Sequence, residues 1–334
     1  ENLAGNIAVG GVAADAAGNV TLVGSTRSAN FPTTADADDG TFNETVAPID
    51  SDAFMTTLSP SGTLIYSTYL GGSDLDFATS VAIDAAGHIF VAGVTYSSTA
   101  EGFPSTATTF DGVIGGLNDA FLVRYGATGT RQYVSYLGGT GAEYFNPSVD
   151  VLVDATNVVF VSGETSSTSF PTLNAAQNSQ GGGGTSGDAF LVRIDTSVNG
   201  AGGLLYGTFW GGNRDETFTG IARGGAGVVY ATGFTRSINI ATTVLPGGAT
   251  PVDFAFDAIV VKFDTNLAGA ASLAWALRLG GSQSDTASDI GVDAAGRAWI
   301  TGYSNSTDLP LKSAFDTAML ITGRPFVAQI NAAG

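Results

Sequence analysis

The chain has 334 residues, 44% of them apolar and only 13% charged, with a formal net charge of −18. So acidic a surface repels phosphate backbones and anionic headgroups, and neither nucleic-acid binding nor membrane insertion is expected. Cysteine is absent, which excludes disulfides, zinc–thiolate sites and thiol nucleophiles, while 47 glycines without a collagen period announce many turns.

The first of five similar units, residues 1–72, sets a pattern. A tight turn containing Gly18 precedes the apolar run VTLVG, and an acidic loop spans 25–51. DAF at 52–54 then opens a further run, which turns at SPSG into TLIYSTYLGG. The second unit, 73–139, repeats this as TSVAID, DAAG, HIFVAGVT, DAFLVRY, GATG and YVSYLGG. The third, 140–212, carries VVFVSG, DAF and YGTFWGG. The fourth, 213–281, puts Gly224 where the turn aspartate belongs and ends in LRLGG. The fifth, 282–334, reads VDAAGRAWITG and then RPF in place of DAF. Gly24, Gly93, Gly163, Gly233 and Gly302 give steps of 69, 70, 70 and 69 residues, and the turn aspartates Asp15, Asp84, Asp154 and Asp293 keep the same period.

Each unit reads as four short strands, a to d, and none shows sustained helical periodicity. Strand b is apolar at nearly every position, so both its faces must be covered. One slot of it holds Thr21, Phe90, Phe160, Tyr230 and Trp299. The a–b turn has only Gly18, Gly87, Asn157, Gly227 and Gly296 in one slot, the two residue types that best tolerate positive φ. Four-stranded sheets covered on both faces and repeated at a fixed period are blades of a β-propeller. The expected fold is all-β: one β-propeller domain over 1–334, with five blades of about 70 residues.

DAFLVRY, YSTYLGGS, VAIDAAGHIFVAGVT and FPTT resemble the SBBP-type repeat of bacterial β-propellers. The resemblance covers nearly the whole chain and departs in the fourth unit, where ARGGAG and INIATT stand instead. It implies a propeller in a secreted or cell-surface protein, and it brings no catalytic motif with it. The family name refers to seven blades, whereas five units are present here.

Gly334 falls in the slot of Gly62, so the counterpart of residues 63–69, the outermost strand d, is missing from the last blade. Three readings follow. The native chain continues; or residues 1–9 fold back as a closing clasp; or the open edge accepts a strand from another molecule, as edge strands invite. The third makes the protein a self-assembling surface or fibre subunit, a homo-oligomer through the edge of blade five.

Function on rigid scaffolds concentrates in long loops, here the b–c connections 25–51, 94–118, 164–187, 234–256 and 303–323. Phe31, Phe103 and Phe170 sit there as candidate glycan platforms, although each precedes proline. On the same face Asp76, Glu143, Glu216 and Asp285 each follow a Gly–Gly pair by four residues. They are candidate binding residues, able to ring a Ca²⁺ or to act as structural clips. Asp36, Asp38, Asp39 and Glu44 in DADDGTFNE form a second candidate calcium site, with Gly40 one place early for EF-hand spacing. The single histidine, His88, lies on the short-turn side, so no Ser–His pair is expected. Paired carboxylates leave glycoside cleavage open, but the acids mostly occupy equivalent slots, which reads as architecture. The expectation is a non-enzymic extracellular or cell-surface module binding protein (itself or another surface protein) or a glycan, with no required cofactor and calcium optional. The alternative is a carbohydrate-binding or carbohydrate-cleaving propeller.

Overall fold

The computed structural model describes residues 7–43, 51–104, 109–144, 149–182, 187–240, 255–310, 314 and 323–334. Within them the chain is all-β apart from short 3-10 turns at Thr99–Glu101, Gly200–Gly203 and Gly269–Ser272. Sheet one joins β1 (Ile7–Ala14), β2 (Val20–Thr26), β3 (Asp52–Leu58) and β4 (Leu64–Leu70) in that order. Sheet two joins β5 (Asp76–Ile83), β6 (Ile89–Thr95), β7 (Asp119–Tyr125) and β8 (Arg131–Leu137). Sheet three opens with the two-residue β9 (Glu143–Tyr144), which pairs with β11, and runs β10 (Asp150–Ala155), β11 (Val158–Thr165), β12 (Asp188–Asp195), β13 (Leu204–Trp210). Sheet four joins β14 (Glu216–Gly225), β15 (Val228–Thr235), β16 (Asp257–Asp264) and β17 (Leu273–Leu279). Sheet five has three strands, β18 (Asp285–Val292), β19 (Ala298–Ser304) and β20 (Arg324–Ile330). The a–b–c–d meander read from the repeat is present, and the succession of antiparallel sheets is consistent with propeller blades.

The turns form for the reasons their residues suggest. The Asp15 carboxylate accepts hydrogen bonds from the Ala17 and Asn19 N–H groups at 2.9 and 2.8 Å, pinning the a–b hairpin, and Asp84 and Asp293 repeat this. The fourth residue of that turn has positive φ in every sheet, from 65° at Asn157 to 83° at Gly18, which only glycine and asparagine adopt at little cost. Sheets one and two use a matching c–d turn ending at Gly62 and Gly129, both with φ 81°. Sheets three and four replace it with the 3-10 turns at 200–203 and 269–272.

In sheets one, two, four and five the a–b pair also carries a bulge at the same slot, between Val9 and Gly11, Ala78 and Ser80, Phe218 and Gly220, and Ala287 and Asp289. The bulged residue hooks the next sheet: Thr79 Oγ1 donates to the Val149 carbonyl, and Thr219 Oγ1 to that of Ala287 at 2.9 Å. Bulges so placed re-aim one side chain without breaking the hairpin. Residues 7–9 belong to β1, paired with 24–26, so this part of the expected clasp is the first strand of sheet one; residues 1–6 lie outside the described residues.

Two compact units divide the chain, one holding 1–161, 167–171 and 193–205, the other 162–166, 172–192 and 206–334. In the first, Val23 and Met55 of sheet one pack with Val81, Val91 and Phe121 of sheet two. In the second, Tyr230 and Val260 of sheet four pack with Ile290, Ala298 and Ile300 of sheet five. Strands β6 and β15 are thus buried on both faces, as their unbroken hydrophobicity requires, whereas alternate residues of β19 are exposed.

Candidate functional site

The four acids that follow the Gly–Gly pairs, Asp76, Glu143, Glu216 and Asp285, are all fully buried. Each is the first residue of its sheet, and its backbone N–H donates to a carbonyl of the preceding one. Asp76 donates to Ser51, Glu143 to Asn118, Glu216 to Gly187 and Asp285 to Phe256, at 2.7–3.3 Å. The carboxylate then folds back over the connection just made. Asp76 Oδ2 accepts from the Gly72 N–H at 2.8 Å and the Ser97 hydroxyl at 3.0 Å. Asp285 Oδ2 accepts from the Gly281 N–H at 2.7 Å and the Ser306 hydroxyl at 2.8 Å. Glu216 accepts from the N–H groups of Gly212 and Ser237 and from the Thr235 hydroxyl.

A second acid meets each of these. The aspartates that open strand c, Asp52, Asp119 and Asp188, converge with Asp76, Glu143 and Glu216 on the first glycine of the pair, and Asp257 closes over Gly280 beside Asp285. A Cβ on Gly71 would lie 2.7 Å from Asp76 Oδ2 and 2.9 Å from Asp52 Oδ1. Gly138 and Gly211 are closed in the same way by Asp119 with Glu143 and by Asp188 with Glu216. Such crowding in a buried site disfavours two negative charges. Burial pushes the Asp76 carboxyl up to about 8, despite hydrogen bonds from Thr95, Gly72 and Ser97. Burial also raises Asp188 and Asp257 to about 6, and lifts Asp119, which hydrogen-bonds Glu143. Each carboxyl pair turns into its own sheet junction, where it fastens backbone.

Sequence reasoning missed the hydroxyls that complete this junction. Two residues past each b strand's final Thr or Ser stands a serine: Thr26 and Ser28, Thr95 and Ser97, Thr165 and Ser167, Thr235 and Ser237, Ser304 and Ser306. Ser97, Ser167, Ser237 and Ser306 are buried and accept the N–H groups of Asp74, Gly141, Arg214 and Gln283 at 2.8–3.1 Å. The motif keeps the repeat period, which is the signal that could have found it.

In sheets one to three the described parts of the long b–c segments lie along strand d. In sheet one Thr34 N–H donates to Ser67 and Tyr69 N–H to Asp39, at 3.0 Å each. In sheet two Tyr136 N–H donates to Asp111, and in sheet three Phe209 N–H donates to Gln177, at 3.1 Å. Tyr69 Oη fastens the start of its segment, donating to the Ser28 carbonyl at 2.6 Å and accepting from Phe31 N–H at 3.1 Å. These segments therefore pad the outer edge of the sheet, a standard protection against stray pairing. Phe103 and Phe170 are buried, and Phe31 packs on Phe54 with ring centroids 4.6 Å apart.

Asp36, Asp38 and Asp39 do not share a centre. The Asp38 carboxylate pairs with Arg131 at 2.7 Å, beside a cleft formed by residues 36–38 and 128–131. Asp39 accepts from Thr41 N–H at 2.9 Å and Asn43 Nδ2 at 2.8 Å, capping its own loop. Glu44 lies outside the described residues. Among the described residues no cluster of three metal-ligating side chains occurs. His88 Nδ1 lies 2.8 Å from the buried Asp84 Oδ2, which also accepts the Asn157 N–H of the following sheet.

Three solved structures resemble this chain at a distance. A protein of unknown function from Dyadobacter fermentans has a TM-score of 0.48 at 7% identity, over 96% of this chain and 75% of that one. A glucose dehydrogenase has 0.40 at 11% identity, over 89% and 80%. Sqt1 from Chaetomium thermophilum has 0.38 at 10% identity, over 99% and 74%. Scores this low carry neither fold nor function across. Among curated proteins none matches the chain. One family does: both matches run from an outer strand, over the Gly–Gly junction with its buried acid, into the next b strand, so the chain carries the SBBP β-propeller repeat at residues 65–98 and 274–310.

Proposed function

We propose that this chain is a non-enzymic structural and binding module of a secreted or cell-surface β-propeller, which assembles by taking a strand onto the free edge of β20. The observation that carries this reading is the contrast between sheet five and the rest. In sheets one to four a fourth strand covers strand c, whereas β20 stands at the edge among the described residues. The turn beyond β20 is already set for such a strand. Gly334 N–H donates to Asn331 O at 3.0 Å with φ 92°, as Gly62 N–H donates to Ser59 O at 2.9 Å with φ 81° before β4. An edge with its ladder groups open is a template for a further strand.

The test is a synthetic peptide of residues 63–70, the strand that covers β3, offered to the intact chain. Saturable binding that slows amide exchange in β20, and is absent with a scrambled peptide, is the expected outcome. No binding, or binding that leaves β20 exchange unchanged, overturns the reading.

A further inference from the structure

A cleft of about 510 Å³ opens where the b–c segment of sheet one meets the c–d turn of sheet two. Residues 36–38 form one wall and 128–131 the other, all within the first compact unit. The frame beneath it is a repeated one. Asp38 N–H donates to Tyr66 Oη at 2.9 Å, and Asp39 N–H to Thr68 Oγ1 at 2.8 Å. In sheet three Ala176 N–H donates to Tyr206 Oη at 3.3 Å, and Gln177 N–H to Thr208 Oγ1 at 3.0 Å. Ala176 thus stands in the slot of Asp38. Arg131 opens strand d of sheet two, where Leu64, Leu204 and Leu273 open those of sheets one, three and four. The frame therefore holds without charge, and the Asp38–Arg131 pair at 2.7 Å is an addition to it. That addition is presented to solvent: the two side chains are 19% and 25% exposed. Thr128 and Thr130, both exposed, set their hydroxyls 3.4 Å apart on the wall that carries Arg131. This wall is fixed, because Gly129 has φ 81° and lies so close on Tyr66 that a Cβ would come within 2.3 Å of the ring.

We propose that this cleft binds a neutral sugar, with the Asp38–Arg131 pair reading two adjacent hydroxyls of one hexose unit. Its volume lies within the span of small-molecule sites, roughly 300–1,000 Å³. Among the described lining residues only Ala37 has an apolar side chain, which suits a polyhydroxylated ligand and not a lipid or an aromatic one. Asp36 and Asp38 against Arg131 leave one net negative charge, which disfavours phosphates, sulfates and uronic acids. Within the pair a carboxylate accepts from one sugar hydroxyl, and a guanidinium, with five N–H donors, donates to the next. The two side chains already hold each other in place, so binding costs little of their freedom.

The inference goes beyond strand addition at β20 and shares no residue with it, so each can fail alone. Saturation-transfer NMR on the intact chain tests it, with glucose, galactose, mannose, N-acetylglucosamine, glucuronate and glucosamine as separate probes. Transfer to at least one of the four neutral sugars is expected, with weaker transfer to glucuronate. Arg131→Leu installs the residue of the sister sheets and should weaken that binding about tenfold or more. Asp38→Asn keeps the backbone bond to Tyr66 and removes the charge, giving a second, independent loss. Signal from glucosamine alone would mean that the carboxylates merely read an ammonium, and overturns the proposal. So does transfer to no neutral sugar, equal binding of glucuronate, or binding that the folded variants retain.

Discussion

At Asp76 a carboxyl behaves as a neutral hydrogen-bonding group. Its value of about 8 in the folded chain stands above the ordinary 3.8, because burial penalises the charge more than its donors favour it. Between those two pH values the folded chain holds a proton that the unfolded chain releases. Stability contributed by this residue is therefore complete below 3.8, declines as pH rises, and is gone above about 8. We expect the thermal midpoint to fall over that interval, with Asp76 supplying on the order of a few kcal/mol of the change. Asp76→Asn is neutral at every pH and still accepts the Gly72 N–H, so its profile should be flatter. Parallel profiles from scanning calorimetry would contradict the assignment. Single residues were legible where the backbone demanded them. The Gly and Asn of the a–b turn announce positive φ by identity alone. The acids were visible as markers, but their meeting with the strand c aspartates was not, because that pairing exists only once one sheet lies on the next.

Strands, more than residues, follow from sequence here, since an unbroken apolar run admits few other structures. The segments between them do not. The b–c stretches differ in length and composition from unit to unit, and what they offer strand d is mainly backbone, received by hydroxyls of strand d such as Tyr66, Thr68, Ser135, Tyr206 and Thr208. Read as exposed recognition loops, they instead cover edges. Tyr69 is a side chain that fastens such a segment, with two hydrogen bonds through one hydroxyl. Tyr69→Phe keeps the ring packing on Phe31 and loses both, at a cost of about 1–2 kcal/mol. Hydrogen exchange should accelerate at the Thr34 and Tyr69 amides, which bridge the segment to β4, and stay unchanged in β2. Uniform exchange in both proteins would mean that the padding is held by backbone alone. The serine two places beyond strand b was equally readable by its period, yet serine and threonine are so common in this chain that the eye passes over them.

For the molecule as a whole, charge opposes the proposed strand addition. A net charge of −18 makes copies repel, while pairing at the edge of β20 would use backbone hydrogen bonds that need no charge. Screening weakens the first and leaves the second, since exposed charges farther apart than about 8 Å are largely masked at physiological ionic strength. Association of the intact chain should therefore tighten as sodium chloride is raised, and sedimentation at low and high salt reads this directly. Weakening with salt would place ion pairs, not backbone pairing, at the contact.

The buried carboxyls bear on that charge in a way the formula conceals. Asp76 and Glu164 are both lifted to about 8 by burial, so at neutral pH the folded chain carries fewer negative charges than its composition implies. Melting frees those acids to ionise. In a weakly buffered solution the unfolding chain should acidify its own medium, and its calorimetric enthalpy should vary with the ionisation heat of the buffer that catches the protons.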